Sequence, residues 1–515
     1  MKSEWSLPDE TLEASSGEPF GSIATQLVKL AEAFTYFHDP QKRAFVRLKV
    51  KDHDEVYPVN STSFRHLLAH EFYKRAKKAA NRNALADAIM ELQGRALYDS
   101  DELPVHLRVA SHQDNILIDL CDSKWRVIEV TRNGWQLLDR SPIAFVRTGA
   151  SRPLPMPVHG GSIKPLWDLL NVTPDQRPLV ARAMLNFLNP HGPYFVLHFV
   201  GEQGTAKSCA SKIVRSLIDP NDNPLRSPPR EERDLLAQAA SNWCIALENL
   251  SYLSDWLSDA LCRLSTGGGH SARTLYTDLD EISLAVKRPV IINGIEDVAT
   301  RPDLAERALQ IELETIPDDR RLTEKKLWAE FEAARPTVFC GVLDALVCAL
   351  RELPSLSMDQ LPRMADAALW ASAGESALGF KRGAFVARYW ENIAEGAFAA
   401  LEATSVGIAI RQLVEQEGEW TGEPSELLQK LNELVSDDIR RANTWPKSAR
   451  VLSGRLNRLA QALRRAGIGY EHSRGHRRQI RLCRVRDFAS PASPTTQNDV
   501  GVDDLQSLHA EAALS

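Results

Sequence analysis

Tyr194-Phe195-Val196-Leu197-His198-Phe199-Val200 runs into Gly201-Glu202-Gln203-Gly204-Thr205-Ala206-Lys207-Ser208, and residues 207–217 then carry a helical pattern. The first seven residues are apolar or aromatic except for His198, as a strand covered on both faces requires. Strand, glycine-bearing loop and helix N-terminus in that order build an anion site, because loop N–H groups and the positive helix end face negative charge together. A lysine and a hydroxyl at the end of the loop make it a P-loop for ATP. Gly201, Gln203, Gly204, Thr205, Ala206 and Cys209 line the nucleotide, Lys207 meets the β- and γ-phosphates, and the Ser208 hydroxyl reaches Mg²⁺. One position departs from the pattern G-x-x-x-x-G-K-[ST]. Ala206 stands where glycine is usual, and it fits provided its φ stays negative.

A phosphate loop of this kind needs an acid at the end of a neighbouring buried strand. Trp243-Cys244-Ile245-Ala246-Leu247 is such a run and ends in Glu248-Asn249, which makes Glu248 the partner of the magnesium ion and its water shell. A further run, Pro289-Val290-Ile291-Ile292, ends in Asn293, whose amide can position an attacking water; an Asn-Gly turn with Gly294 is the plain alternative. Arg301 and Arg307 follow, and an arginine there can reach the ATP of a neighbouring subunit.

Between these runs stands Leu264-Ser265-Thr266-Gly267-Gly268-Gly269-His270-Ser271-Ala272-Arg273-Thr274-Leu275-Tyr276, and Asp303 precedes Arg307 by four residues. The ordered series over residues 160–315 resembles the superfamily 3 helicase module of phage, plasmid and poxvirus-type primase–helicases. Ala before the lysine is also similar to the loop of minichromosome-maintenance-type helicases. The resemblance implies an AAA+-like ATPase that assembles as a ring, usually a hexamer, and moves on DNA. It implies Glu248 as the Walker B acid, Asn293 as sensor 1 and Arg307 as the arginine finger. It also places residues 267–276 on or beside a pore hairpin, with His270 and Arg273 facing single-stranded DNA. Two positions differ from the pattern: Gly269 replaces an acid of the turn, and Asn249 stands where many AAA+ enzymes have a second acid.

Net charge is −6, which alone argues against a nucleic-acid binder, but the average conceals a local excess. Between Asp437 and Arg486 there are fourteen Lys or Arg against three acids, enough for a DNA footprint on one unit. Residues 421–486 resemble a winged helix-turn-helix. A helix begins near Ser425 as its cap, a second ends at Gly467, and residues 470–482 form two strands around a Gly turn. Arg450, Arg455, Arg458 and Arg465 on the helix and Arg474, Arg477 and Arg478 on the wing are candidate DNA contacts, possible on duplex. A solvated charged face is the bland alternative.

The N-terminal part reads as helix over 22–37, two short strands, an amphipathic helical stretch over 64–97 and an antiparallel meander over 105–130. A primase there would need paired carboxylates for metal-assisted transfer. The tight pair Asp52-His53-Asp54 sits in a polar run between strands, where a hairpin turn explains it better. A separate primase is then a natural partner.

The expected organisation is a disordered 1–20, an accessory α+β domain over 21–155, a P-loop ATPase core over 160–320, a helical segment over 321–404, a winged-helix-like DNA-binding domain over 405–486 and a disordered tail over 487–515. The fold class is α/β. Pro153, Pro155, Pro157, Gly160 and Gly161 mark the first boundary. Seven scattered cysteines without a Cys-x-x-Cys pair, no export signal and no run of some 20 apolar residues point to a cytoplasmic protein off the membrane. The function this implies is ATP-dependent DNA unwinding or translocation by a ring, in replication of a mobile element. A DNA-binding initiator or loader without unwinding, and an ATP-dependent defence protein, remain open.

Overall fold

Apolar strands alternating with helices fold here into a parallel sheet, and strands separated by short polar turns fold into antiparallel ones. The computed structural model describes residues 21–50, 53–268, 270–273, 281–284, 286–295, 301–473, 479–484 and 495–496. The chain divides into two compact units, one made of Met1–Met156 with Asp219–Asp222, the other of Pro157–Ile218 with Asn223–Ser515.

In the first unit the helix Ile23–Ala31 starts at Ser22, whose hydroxyl accepts from the Thr25 N–H. The helical pattern expected to reach residue 37 stops at this helix, and Thr35–His38 is a strand antiparallel to Ala44–Val50. Aromatic pairing across the strands decides it: Phe37 stacks on Phe45 with ring centroids 5.7 Å apart. Asp54 is not in a turn either, since the strand His53–Pro58 sets it opposite Lys49; Asp52 lies outside the described residues. The helical stretch is two helices, Thr62–Ala76 and Arg82–Tyr98, broken where Lys77 turns left-handed and Asn81 caps the second. The strands Val109–His112, Asn115–Asp119, Val127–Thr131 and Gly134–Leu138 pair in sequence order as a meander. Arg108 is buried beside them. Its guanidinium donates to Asp219 at 3.1 Å and to the carbonyls of Asp119 and Arg152, each at 3.0 Å, which satisfies a charge that burial would otherwise penalise.

The second unit is built on a four-stranded parallel sheet in the spatial order Ile245–Leu250, Val290–Gly294, Val196–Val200, Ala308–Glu312. Val196–Val200 and Val290–Gly294 are buried at every position, as central strands covered by helices must be. The helices Lys207–Ile218 and Asp255–Thr266 pack on these strands, and Arg177–Phe187 packs on Ala308–Glu312. A hairpin, His270–Arg273 against Glu281–Leu284, separates the acid-ending strand from the amide-ending one in sequence.

Three further helices, Glu324–Glu352, Ala365–Ser372 and Ala384–Glu402, follow the sheet. The expectation that no segment is long and apolar enough for a bilayer needs correction. Glu324–Ser355 meets that test by length and composition, although a core helix also meets it and 56% of its apolar window is buried. Phe331, Val338, Phe339, Leu343 and Leu346 are wholly covered by the protein.

The C-terminal part sets the helices Ser405–Glu417, Pro424–Leu434 and Ala449–Arg465 against a three-stranded antiparallel sheet in the order Glu419–Gly422, Gln479–Arg484, Ile468–Ser473. Leu427, Leu431, Trp445, Leu452, Leu456, Leu463, Ile480 and Leu482 form its core. The cap of the Pro424–Leu434 helix is Glu423, not Ser425. Pro424 takes the first helical position, so the residue before it caps, in a reciprocal box with Glu426. Within the stretch expected to be disordered, Thr495–Thr496 pairs with Leu356–Ser357.

Candidate functional site

The glycine loop leaves the sheet at Gly201, where φ is +150° and a side chain would put its Cβ 2.5 Å from the Leu313 carbonyl oxygen. Only glycine fits there. Thr205 is buried and its hydroxyl donates to the Glu202 carbonyl at 3.0 Å, which closes the loop on itself. Lys207 opens the helix Lys207–Ile218, and its ammonium donates to the Gly201 and Glu202 carbonyls, each at 2.6 Å. Partial burial holds that ammonium below the usual lysine value. Ser208 and Cys209 are half-buried in the first helical turn; burial pushes the Cys209 thiol up, Lys212 opposes this and Glu324 adds to it. Gln203 and Gly204 are exposed at the loop tip.

Ala206 does not keep the negative φ expected of it. Its φ is +65°, the left-handed region. That conformation costs an alanine about 1–2 kcal/mol. Glycine would remove the strain but adds about 0.4–1 kcal/mol of unfolded-state entropy. Ala206→Gly should therefore stabilise the chain and raise the thermal midpoint by about 1–4 °C. A midpoint that falls would show that the loop adopts another backbone.

Glu248 and Asn249 sit at a bulge, where the register shifts between Leu247 and Leu250. The bulge turns Asn249 to φ +56° and leaves Glu248 half-buried, its N–H bonded to the Arg226 carbonyl at 2.9 Å. Asn293 is inside the Val290–Gly294 strand, so the Asn-Gly turn alternative is ruled out. Its side chain is fully buried between the loop strand and the acid strand. The amide oxygen accepts from the Asn249 N–H at 3.0 Å, the amide nitrogen donates to Ser211 Oγ at 2.9 Å, and Ser211 donates to the Lys207 carbonyl at 2.9 Å. One hydrogen-bonded line thus joins the lysine's helical turn to the bulge carrying Glu248. Ser211 was not among the sequence candidates. A hydroxyl four residues after Lys207, in a helix otherwise packed by Ala210, Ile213, Val214 and Leu217, was the available signal.

Arg307 is not displayed on a surface as a finger acting between subunits would be. Its side chain is only 13% exposed, and it donates to the Asp303 carbonyl at 2.6 Å. Arg301 is 37% exposed, bonded to the Asp255 carbonyl at 2.8 Å and paired with Asp259 at 3.0 Å. Asp303 and Glu306 both pair with Arg363 at 2.7 Å, and this bond holds the Asp303 carboxyl below the usual aspartate range.

In the arginine-rich part Arg450 and Arg458 are exposed and Arg455 is half-buried, donating to the Thr444 carbonyl. Arg465 has to be removed from the DNA-facing set. It ends the helix pointing inward, 14% exposed, pairing with buried Glu306 at 3.3 Å and lying over the Trp390 ring at 5.9 Å. A buried carboxylate needs its cation more than solvent does. Arg474, Arg477 and Arg478 lie outside the described residues. The backbone sets His270 and Arg273 on the first strand of the hairpin.

Residues 163–389 match the family described as actinomycete integrative conjugative element replication protein, and residues 406–496 match the family described as AICE RepA C-terminal domain. In tandem the two matches span more than half of the 515 residues. The two matches identify a replication protein of a mobile element. The first match contains the glycine loop, Glu248, Asn293, Arg301 and Arg307; the second contains the arginine-rich helix and strands. Among curated proteins nothing matches. Two solved structures of the NrS-1 C-terminal region, titled as its A form apo structure, are similar at 12% and 11% identity. Their TM-scores are 0.40 and 0.38, with 89% and 90% of this chain and 99% and 100% of those chains covered, a likeness too slight to carry an argument.

Proposed function

We propose that this replication protein is an ATP-driven DNA translocase or helicase with a P-loop, AAA+-like core, working as an oligomeric ring, with a hexamer the expected size. The observation that carries the reading is the hydrogen-bonded line Lys207–Ser211–Asn293–Asn249, which fixes the phosphate-facing helical turn against the bulge that aims Glu248. Such a line holds groups on three separate elements in one arrangement, as preorganised charge stabilisation requires. Superfamily 3 likeness rests on the motif series and supports the same reading.

The residues fit a magnesium nucleotide. Ser208 and Glu248 would hold Mg²⁺, which when bound neutralises charge on the β- and γ-phosphate oxygens. Lys207 can exchange its two carbonyl partners for phosphate oxygens at little cost in hydrogen bonds. Loop N–H groups of residues 204–208 orient the phosphates, and Asn293 keeps the acid strand in register with them. Single-stranded DNA would meet the hairpin residues His270 and Arg273. Duplex or junction DNA would meet Arg450, Arg455 and Arg458.

The direct test is ATP hydrolysis by the purified chain with and without DNA, followed by strand separation of a forked duplex. Hydrolysis without separation would favour a second reading, a DNA-binding initiator or loader. Asn249, turned outward at the bulge where a second acid is usual, is the feature that favours it.

DNA affinity should divide the arginines as the structure does. Replacing Arg450 and Arg458 together by alanine should lower the slope of log K against log salt by about two, since each lost phosphate contact releases about one counterion fewer. Arg465→Ala should leave that slope unchanged and instead cost about 1–2 kcal/mol of stability, because buried Glu306 loses one of its two cations. An Arg465 variant with wild-type stability and a lower slope would return that residue to the DNA-facing set.

A further inference from the structure

The segment after the Ala308–Glu312 strand runs along the glycine loop and is pinned to it three times. The Leu313 N–H donates to the Val200 carbonyl at 2.8 Å. The Leu313 carbonyl oxygen fills the space a side chain at Gly201 would need. The Asn171 amide nitrogen donates to the Glu314 carbonyl at 2.5 Å and to the Thr205 carbonyl at 3.4 Å, so one side chain clamps segment and loop together. At the end of this segment stands Arg321. Its Nη2 lies 3.9 Å from the point where a Cβ on Gly204 would sit, above the exposed tip of the loop, where φ is +88°.

We propose that Arg321 is a same-chain contact to the β- and γ-phosphates of the bound nucleotide, a role that rests on reading the loop as an ATP site. Its guanidinium is free to take it up. It is 55% exposed and, among the described residues, paired at 3.3 Å only with Asp318, itself 92% exposed, while Nε donates to the Ile316 carbonyl at 3.3 Å. An ion pair open to water on both sides holds its partners weakly. A planar guanidinium meets two phosphate oxygens at once, with charge on both sides of the bond. Lys207 belongs to the helix after the loop and Arg321 to the segment after the Ala308–Glu312 strand, so the phosphates would be held by two cations on different elements. The glycine at position 204 keeps that approach open, since among the described residues nothing but Arg321 comes within 4 Å of its missing side chain.

Titration of the full chain with fluorescent analogues of ATP, ADP and AMP tests this, using Arg321→Ala, Arg321→Lys and Lys207→Ala. Arg321→Ala should weaken ATP and ADP by about tenfold or more and leave AMP unchanged, the loss expected for one charge-assisted contact. Arg321→Lys should recover part of the difference, and the thermal midpoint without nucleotide should match the wild type. Wild-type affinities in Arg321→Ala, with binding lost in Lys207→Ala, would overturn the role of Arg321 and leave the ATP site standing. Equal weakening of ATP, ADP and AMP would also overturn it, since the residue would then be acting on the base, the sugar or the loop. Normal binding in Lys207→Ala would remove the ATP site itself, and this inference with it.

Discussion

Lys207→Ala should bind ATP weaker by about 10²–10⁴-fold and show no measurable turnover. The ammonium has two strong acceptors within the loop, and phosphate oxygens replace them on binding. Each charge-assisted hydrogen bond is worth about 1.5–3 kcal/mol, and two of them set that range of affinity. The folded state loses little, since the freed carbonyls of Gly201 and Glu202 lie near the surface where water can satisfy them. A thermal midpoint near the wild type, with nucleotide binding gone, is the expected pair of results. Turnover like that of the wild type would remove the site, and with it the ring motor.

The arginine finger should be found by mixing. Arg307→Ala is expected to bind ATP normally and to lose about 10³-fold in turnover, because a finger acts on transition-state charge more than on the ground state. Mixed with Lys207→Ala subunits it should regain some hydrolysis, since one kind of interface then joins an intact loop to an intact arginine. The structure adds a condition. Arg307 must leave the Asp303 carbonyl before it can reach a neighbour, and the Asp303 carboxylate, 3.7 Å from Arg307, keeps Arg363 as its partner at 2.7 Å when it does. Arg301 is the more exposed of the two and competes for the role. Loss of turnover in Arg301→Ala but not in Arg307→Ala would shift the assignment to Arg301. Normal turnover in both would exclude a site shared between subunits.

What could be read from residues alone followed the range of the forces involved. The strand at 196–200, the loop and the helix after it are local, set by apolar continuity, glycine and a helix start, and the chain announces all three. Glu248 and Asn293 were visible as polar ends of apolar runs. Their meeting was not, because it depends on which strands become neighbours in the sheet and on a bulge that no local pattern marks. Ser211 joins Asn293 to the Lys207 carbonyl only in three dimensions. Arg465 resembles Arg458 in any helical projection; what turns it inward is Glu306, some 160 residues earlier. The positive φ of Ala206 runs against the preference of its own residue type, so propensity pointed the wrong way. Residues 35–37 carry helical spacing, and spacing alone cannot weigh a stacking partner at Phe45.

Asp219–Asp222 follow directly on the helix that begins with Lys207, yet they belong to the N-terminal unit. Arg108, sealed inside that unit, finds its carboxylate at Asp219. A crossover at the Met156 boundary would leave Asp219–Asp222 with the other unit's sequence. It would separate a buried cation from its anion, a loss of about 3–5 kcal/mol when one member of such a pair is removed. Recombinants would survive only where the incoming segment restores the pair. Inheritance therefore links the two units more tightly than their boundary suggests, and a substitution at Arg108 should be tolerated only alongside a change at Asp219.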